Sequence, residues 1–461
     1  MRIVIAGAGA VGSHLARLLS RDHMNVVLMD PNEEKLSKLS SNLDILATAA
    51  SPTSPSALKN AGVERADLFV AVTPDENENI TAAMLAKQMG VKKCVARVDN
   101  YEYMLPDHRK LFTHMGVDTL IYPELLAAQE IAMSTQFSWV RQMWQFGPAS
   151  DLILASLKMH DNNPSSQKEV VVNEGNQLVG HTLKEIGMQH GHSFHVVAIK
   201  REGETVMPHG DERILPQDLV FVMTTRSQLD ALRHLAGKEG YPQVQRTLIV
   251  GGGKLSVRAD WALPDSMDLK IVEPDPLRCE QLGHLAKPRT LIINGEGHDM
   301  DLLNDEGYGH LEALVALTDN DEENILSCVS ARRRGIRKTI AQVENLDLLD
   351  MAEELDVGTV VNKKTIAASH IYQLLLKSDV EGVKKLNIAN ADVAEFTVRS
   401  GSKVTRHPVM NIGLPRGVNI GGMVRNGVGQ LVGGQTVLQP GDLVVVFCIG
   451  DTLKKLDRYF R

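Results

Sequence analysis

Ile3-Val-Ile-Ala-Gly-Ala-Gly-Ala-Val-Gly12 carries three glycines in the spacing Gly-x-Gly-x-x-Gly, directly behind an apolar run and ahead of a helical pattern. Gly7 permits a tight turn, Gly9 lets backbone approach a pyrophosphate, and Gly12 lets the helix pack close to the strand. Free N–H groups at the helix start, contributed by Gly7, Ala8, Gly9, Ala10, Val11 and Gly12, would then meet phosphate oxygens together with the positive end of the helix dipole. Asp30 follows at the end of the second apolar run, placed to accept hydrogen bonds from a ribose diol. A carboxylate there disfavours a 2′-phosphate, which points to NAD or an adenine nucleotide rather than NADP. Thr73 and Pro74 end the apolar run Leu68 to Val72, at the sheet edge where ligands of open α/β folds bind. Arg97, the cation of Val95-Ala-Arg-Val98, can meet phosphate by charge-assisted hydrogen bonds. Plainer readings stay open: glycines that serve only the turn, Asp30 as a cap for a helix at Pro31, Thr73 as an N-cap, and Arg97 in a surface ion pair.

The pattern returns in the second half of the chain. Ala66-Asp-Leu-Phe-Val-Ala-Val-Thr-Pro-Asp-Glu-Asn-Glu-Asn-Ile80 reappears as Leu311-Glu-Ala-Leu-Val-Ala-Leu-Thr-Asp-Asn-Asp-Glu-Glu-Asn-Ile325, and Ile5 to Gly9 matches Ile249 to Gly253. Here Gly251, Gly252, Gly253, Lys254 and Leu255 form the turn, Glu273 holds the ribose position, and Thr318 ends the strand. Ser256 stands at the third glycine position, and Gln342 replaces Arg97. Glu296, within Gly295-Glu-Gly297, follows the next apolar strand, where the first copy has Ala50-Ser51; Ser51 and Glu296 complete the candidate set. The second site is the weaker one.

The elements that must hold these residues alternate short apolar strands with helical patterns, which reads as a parallel sheet covered by helices. Each such module precedes a shorter β-rich stretch, and these also repeat: Leu215-Pro-Gln-Asp-Leu-Val220 corresponds to Gln439-Pro-Gly-Asp-Leu-Val444. The predicted fold class is α/β, with two Rossmann-like doubly wound parallel-sheet domains, each followed by a small α+β domain. The expected modules are 1–135, 136–237, 244–368 and 369–461, with the first boundary between Gln136 and the chain break at Gly147-Pro148 and the second near Gly240, within Gly237-Lys-Glu-Gly-Tyr-Pro242.

A length of 461 residues suits several cores, and 43% hydrophobic content is enough to fill them. A net charge of −8 and only 4% aromatic residues argue against nucleic acid as a partner. Cys94, Cys279, Cys328 and Cys448 are widely spaced, which suits a reducing cytoplasm, and runs such as Leu443 to Ile449 are too short to span a bilayer. His181, His190, His192 and His195 cluster without a counterpart in the second half, so packing or surface roles are expected rather than a metal site. Arg332-Arg-Arg334 is expected on a solvated helix face.

Taken together, Gly7 to Gly12, Asp30, Val72-Thr73, Ala96-Arg-Val98, Val343-Glu-Asn345, Val361-Asn-Lys-Lys364, Ala367-Ala-Ser-His-Ile371 and Gln439 to Val446 resemble the TrkA family, regulatory subunits of Trk-type potassium uptake systems built from KTN (RCK-N) and RCK-C domains. The resemblance covers essentially the whole chain. It implies a non-catalytic protein that binds NAD(H) and ATP or ADP. It further implies a homo-oligomer, a tetrameric ring, lying at the inner face of the membrane beneath an integral-membrane potassium transporter subunit. By position, Gly7 to Gly12 would hold phosphates, Asp30 the ribose, Thr73 the nucleotide edge and Arg97 a terminal phosphate. An NAD-dependent oxidoreductase is the competing class, since the glycine motif alone does not separate regulation from hydride transfer.

Overall fold

The computed structural model describes residues 1–21, 24–146, 150–159, 176–190, 193–239, 241, 244–299, 304, 307–376, 383–386, 391–415, 417–449, 456 and 459–460. The breaks expected at Gly147-Pro148, Gly240 and Pro242, and His192 of the histidine cluster, lie outside them. The chain divides into two compact units, Met1–Ala127 with Asn362–Leu375, and Ala128–Val361 with Leu376–Arg461.

In the first unit, β1 (Arg2–Ala6), β2 (Asn25–Asp30), β3 (Leu46–Ala49), β4 (Leu68–Ala71), β5 (Lys93–Arg97) and β6 (Thr119–Ile121) form a sheet in the order β3-β2-β1-β4-β5-β6. All neighbours are parallel. The order reverses between β1 and β4, the switch point at which ligands of doubly wound sheets bind. Strands covered by helices on both faces need apolar runs rather than alternation, and Ile3, Val4, Ile5 and Ala6 are accordingly all fully buried. β3 is mostly exposed, so no apolar run announces it. Helices begin where capping residues occur: Asn32 accepts from Lys35 N, Ser54 from Ala57 N, and Asp75 from both Asn77 N and Glu78 N. Helix Lys363–Leu376 joins this unit through residue 375, with Lys363 Nζ 3.7 Å from Glu124 and Lys93 Nζ donating to Leu374 O.

Among the described residues, the second unit holds three sheets. β7 (Gln142–Gln145), β8 (Leu152–Lys158), β9 (Phe194–Arg201), β10 (Glu204–Val206) and β11 (Leu219–Thr225) make an antiparallel sheet in the order β10-β9-β11-β8-β7. β12 (Arg246–Val250), β13 (Asp268–Glu273), β14 (Leu291–Asn294), β15 (Ala313–Ala316), β16 (Lys338–Gln342) and β17 (Thr359–Val361) repeat the doubly wound parallel order. β18 (Val383–Leu386), β19 (Ala391–Thr397), β20 (Val418–Arg425), β21 (Val428–Leu431) and β22 (Leu443–Ile449) form a second antiparallel sheet, β18-β19-β22-β20-β21.

The two antiparallel sheets share one core, with Leu154, Val197 and Phe221 of one packed against Val393, Val445 and Phe447 of the other. Burying each such side chain contributes about 1.5–3 kcal/mol. Gly421 lies at the closest approach: a Cβ there would stand 2.6–2.7 Å from Met223, Phe447 and Val197 side chains. The aspartate of each repeated turn is structural. Asp218, 1% exposed, takes both Nε and Nη2 of Arg201 at 2.9 Å, and Asp442, 2% exposed, takes the same atoms of Arg425 at 2.8 and 2.6 Å. These fork-shaped pairs hold each turn to its neighbouring strand, and they push both guanidinium groups to higher pKa.

Candidate functional site

The first glycine loop runs from the end of β1 into helix Ala10–Arg21. Gly7 has φ +108°, which side chains rarely adopt, and its N–H donates to Met29 O at 2.7 Å. Gly12 packs so tightly that a Cβ would stand 1.9 Å from Gly7 O, whereas a Cβ on Gly9 would meet nothing within 4 Å. Gly12 therefore belongs to packing, and Gly9 faces open space at the helix start. Ala8 and Val11 are buried beneath the loop, and Ala10 is exposed at its crest.

Asp30 ends β2 with its carboxylate already engaged. One oxygen accepts from Ala8 N at 2.7 Å and the other from Asn32 N at 2.8 Å. The helix that follows starts at Glu33 and is capped by Asn32, so capping is Asn32's role rather than that of Asp30. The acid ties the glycine loop to β2, and each oxygen keeps a second lone pair for a ribose hydroxyl. The second copy repeats the tie: Glu273 accepts from Gly252 N at 2.7 Å and from Asp275 N at 3.1 Å.

Thr73 is 4% exposed and sits at the carboxyl end of β4. Its hydroxyl donates to Asp75 O, and Asp75 is the residue that caps helix Glu76–Gln88. Asn79, which no site motif marks in the sequence, spans the loops after β4 and β5 with its side chain. Its Oδ1 accepts from Thr73 N, while its Nδ2 donates to Thr73 O and Arg97 O. Asn324 repeats this with Thr318 N, Thr318 O and Gln342 O. The signal for it lay in the repeat itself, where Asn-Ile keeps a fixed distance from Thr in both halves. Pro74 is exposed beside Thr73, and Ser51 Oγ pairs with Thr53 Oγ1 at 2.9 Å.

Arg97 Nη2 lies 3.0 Å from Asp99 Oδ1, so the ion pair is made. Its Nε is buried and has no hydrogen-bond partner among the described residues.

In the second copy, Ser256 is fully buried and donates to Gly251 O at 2.6 Å. The turn is thus wide enough for a side chain where the first copy admits none. Gly251, Gly252 and Gly253 line a cavity of about 380 Å³ together with Glu273, Glu296 and Thr318. Lys254 is exposed at the start of helix Lys254–Ala262, and Leu255 is buried beneath it. Arg278, which no sequence motif marks, lines this cavity and donates from Nε to Gly252 O at 2.7 Å. Lys35 stands at the same offset from Asp30 in the first copy. At matched positions the first copy's Asn32, Ser51, Pro74 and Arg97 become Asp275, Glu296, Asp319 and Gln342, and each change moves the second site by one charge toward negative.

Burial pushes the Cys94 and Cys328 thiols up to about 12, so both stay protonated at neutral pH. Arg332 departs from the solvated face expected of its triplet, because it turns inward to Asp356 at 2.8 Å while Arg333 and Arg334 are exposed. Among the described residues, no group of three or more His, Cys, Asp or Glu side chains is placed to hold a metal ion. None of the described helices is long and apolar enough to cross a membrane.

The TrkA-N domain model matches residues 3–123 and 247–363, and the TrkA-C domain model matches 168–237 and 393–461. A Trk system potassium uptake protein TrkA homolog of Archaeoglobus fulgidus is 29% identical over 465 residues, covering all of both chains. The Trk system potassium uptake protein TrkA of Halomonas elongata is 28% identical over 477 residues, covering 100% of this chain and 99% of its own. Among solved structures, the GsuK RCK domain superposes with a TM-score of 0.59 at 16% identity, over 100% of this chain and 94% of that one. The GsuK channel bound to NAD gives 0.60 at 16% identity, over 100% and 78%. With both domain models matched twice in alternation, the chain belongs to the TrkA family.

Proposed function

We propose that this chain is a nucleotide-sensing regulatory subunit of a membrane potassium transporter, peripheral to the membrane and without catalysis of its own. The relatives named above are Trk system potassium uptake proteins, and GsuK, which shares the fold, is a channel with an NAD-bound form. The observation that carries the reading is the acid-latched glycine loop at the switch point of a doubly wound sheet, present twice.

In this reading, residues 1–135 and 244–368 are the nucleotide-binding modules, and 136–237 and 369–461 the RCK-C modules. The first pocket takes NAD(H), ATP or ADP: the loop from Gly7 to Gly12 holds phosphates, Asp30 the ribose, Thr73, Pro74 and Ser51 the edge, and Arg97 the terminal phosphate. The second pocket, around Gly251 to Leu255 with Glu273, Glu296 and Thr318, is the more negative and takes less anionic nucleotides. Subunits assemble as a tetrameric ring on the integral-membrane partner. A nucleotide acts by binding one ring conformation better than another, since equal affinity for both would shift nothing.

Calorimetric titration with NADH, NAD, ATP and ADP tests the site, and potassium flux through the reconstituted partner tests the coupling. Binding to the wild type that is lost at the first pocket in Gly9→Val, with binding at the second pocket kept, supports the assignment. No binding of any of the four, or steady turnover of NADH with a small metabolite, overturns it.

A further inference from the structure

The second glycine loop opens on a cavity of about 380 Å³, a size that holds a small organic molecule. Glu273, Asp275, Glu296, Asp319 and Glu323 line it with carboxylates, and Arg278 is the one Lys or Arg among the described residues that do so. Glu273 and Asp275 accept from the backbone N–H groups of Gly252, Asp275 and Leu277. Glu296, Asp319 and Glu323 make no ion pair among the described residues. Lys254, at the helix start beside the loop, is exposed and is not among the described residues lining the cavity.

This lining opposes phosphate. A terminal phosphate carries about −1.5 to −2 charges at neutral pH, and in so small a cavity it stands within a Debye length, about 8–10 Å, of the carboxylates. Nor does the lining suit a metal ion, since no three His, Cys, Asp or Glu side chains among the described residues are placed to hold one. A carboxylate only accepts hydrogen bonds. The occupant that fits is therefore rich in donors and free of negative charge, as a nucleoside is through its ribose hydroxyls and exocyclic amine. Arg278 supplies a surface for the base. Its Nε donates to Gly252 O at 2.7 Å and its Nη1 to Gln281 Oε1 at 3.0 Å, so the guanidinium is held at two points. A guanidinium so fixed keeps its plane and can stack on an aromatic base, which the ammonium of Lys35, at the matching position of the first copy, cannot do.

We propose that the second pocket is a nucleoside site, which takes a purine nucleoside without phosphate, its ribose on Glu273 and its base against the guanidinium of Arg278. The inference rests on the reading of this pocket given above and names its ligand class. A purine is favoured over a pyrimidine because the larger ring offers more surface to stack. The two halves of the chain then respond to different members of one pool: the first to anionic nucleotides, the second to the nucleoside left when every phosphate has been removed.

The test uses the full chain carrying Gly9→Val, which blocks the pyrophosphate position of the first pocket, in calorimetric titrations with adenosine, AMP, ATP and cytidine under a metal chelator. Adenosine should bind more tightly than ATP by about tenfold or more, with AMP between them and cytidine weaker than adenosine. Added salt should narrow the gap between adenosine and ATP. Arg278→Lys keeps the charge and removes the plane, so it should weaken adenosine by about fivefold or more at a nearly unchanged melting temperature. If Gly9→Val melts too low, Asp30→Asn serves as the background that disables the first pocket. Nucleotide binding by the wild type with no adenosine binding left in either background overturns this inference alone, as does ATP binding as tight as that of adenosine, or adenosine affinity unchanged in Arg278→Lys. A wild type that binds neither nucleotide nor nucleoside overturns the underlying reading as well.

Discussion

The glycine motif joins two jobs that the structure separates residue by residue. Gly12 has a carbonyl 1.9 Å from where a Cβ would stand, while Gly9 has open space there. Gly12→Val should therefore cost about 2–3 kcal/mol or more through overpacking, whereas Gly9→Val should leave the melting temperature nearly unchanged and block the pyrophosphate position. Paired unfolding and calorimetry on the two variants check this, and equal destabilisation by both would sink it. Charge gives a second expectation. Glu296→Gln with Asp319→Asn removes negative charge that separates the second pocket from the first, so ATP affinity there should rise severalfold while that for NAD changes less. Unaltered ATP affinity in the double variant, measured on a Gly9→Val background, would argue against charge as the discriminator. The glycines, Asp30 and Glu273 were legible from spacing and position. That each acid spends both oxygens on backbone N–H groups was not, because a hydrogen bond between residues 22 apart has no local pattern.

At the scale of elements, the strands that could be read from apolar runs are those buried on both faces, such as β1, β4 and β22. β3, mostly exposed, left no such trace. Asn79 and Asn324 were hidden for another reason: a buried amide that clamps two loops looks, in sequence, like any helix-start asparagine. The repeated turns before β11 and β22 show how two copies of one element diverge. Gly441 holds φ +91° just before Asp442, and in the same place Gln217 holds φ +69° just before Asp218. A side chain in that region costs about 1–2 kcal/mol. Gln217→Gly should recover about 1 kcal/mol, less some backbone entropy lost from the unfolded state, which denaturant unfolding can resolve. A destabilised variant would mean that the Gln217 side chain contributes more than its backbone costs.

Over the whole molecule, the duplication repeats contacts as well as motifs. Lys93 opens β5 and donates to Leu374 O, in the helix that follows the second parallel sheet; Lys338 opens β16 and donates to Val140 O, just past the helix that follows the first. Each lysine thus holds a segment belonging to the other copy in sequence, an exchange invisible to any reading that cuts the chain into consecutive modules. The two have unequal electrostatics, since Lys93 is half-buried and Lys338 nearly enclosed. Burial first, then Arg141 and Arg332, pushes the Lys338 ammonium well below its ordinary value. Between that lowered pKa and the unfolded value near 10.4, the unfolded chain binds a proton that the native chain does not, so this group makes stability rise with pH across the window. Lys338→Met lacks this contribution. The stability of the wild type relative to Lys338→Met should increase as pH is raised from neutral toward about 10, by up to about 1.4 kcal/mol per pH unit within the window. Denaturant unfolding of both proteins across that range checks it. Parallel curves would show Lys338 titrating alike in the folded and unfolded chain.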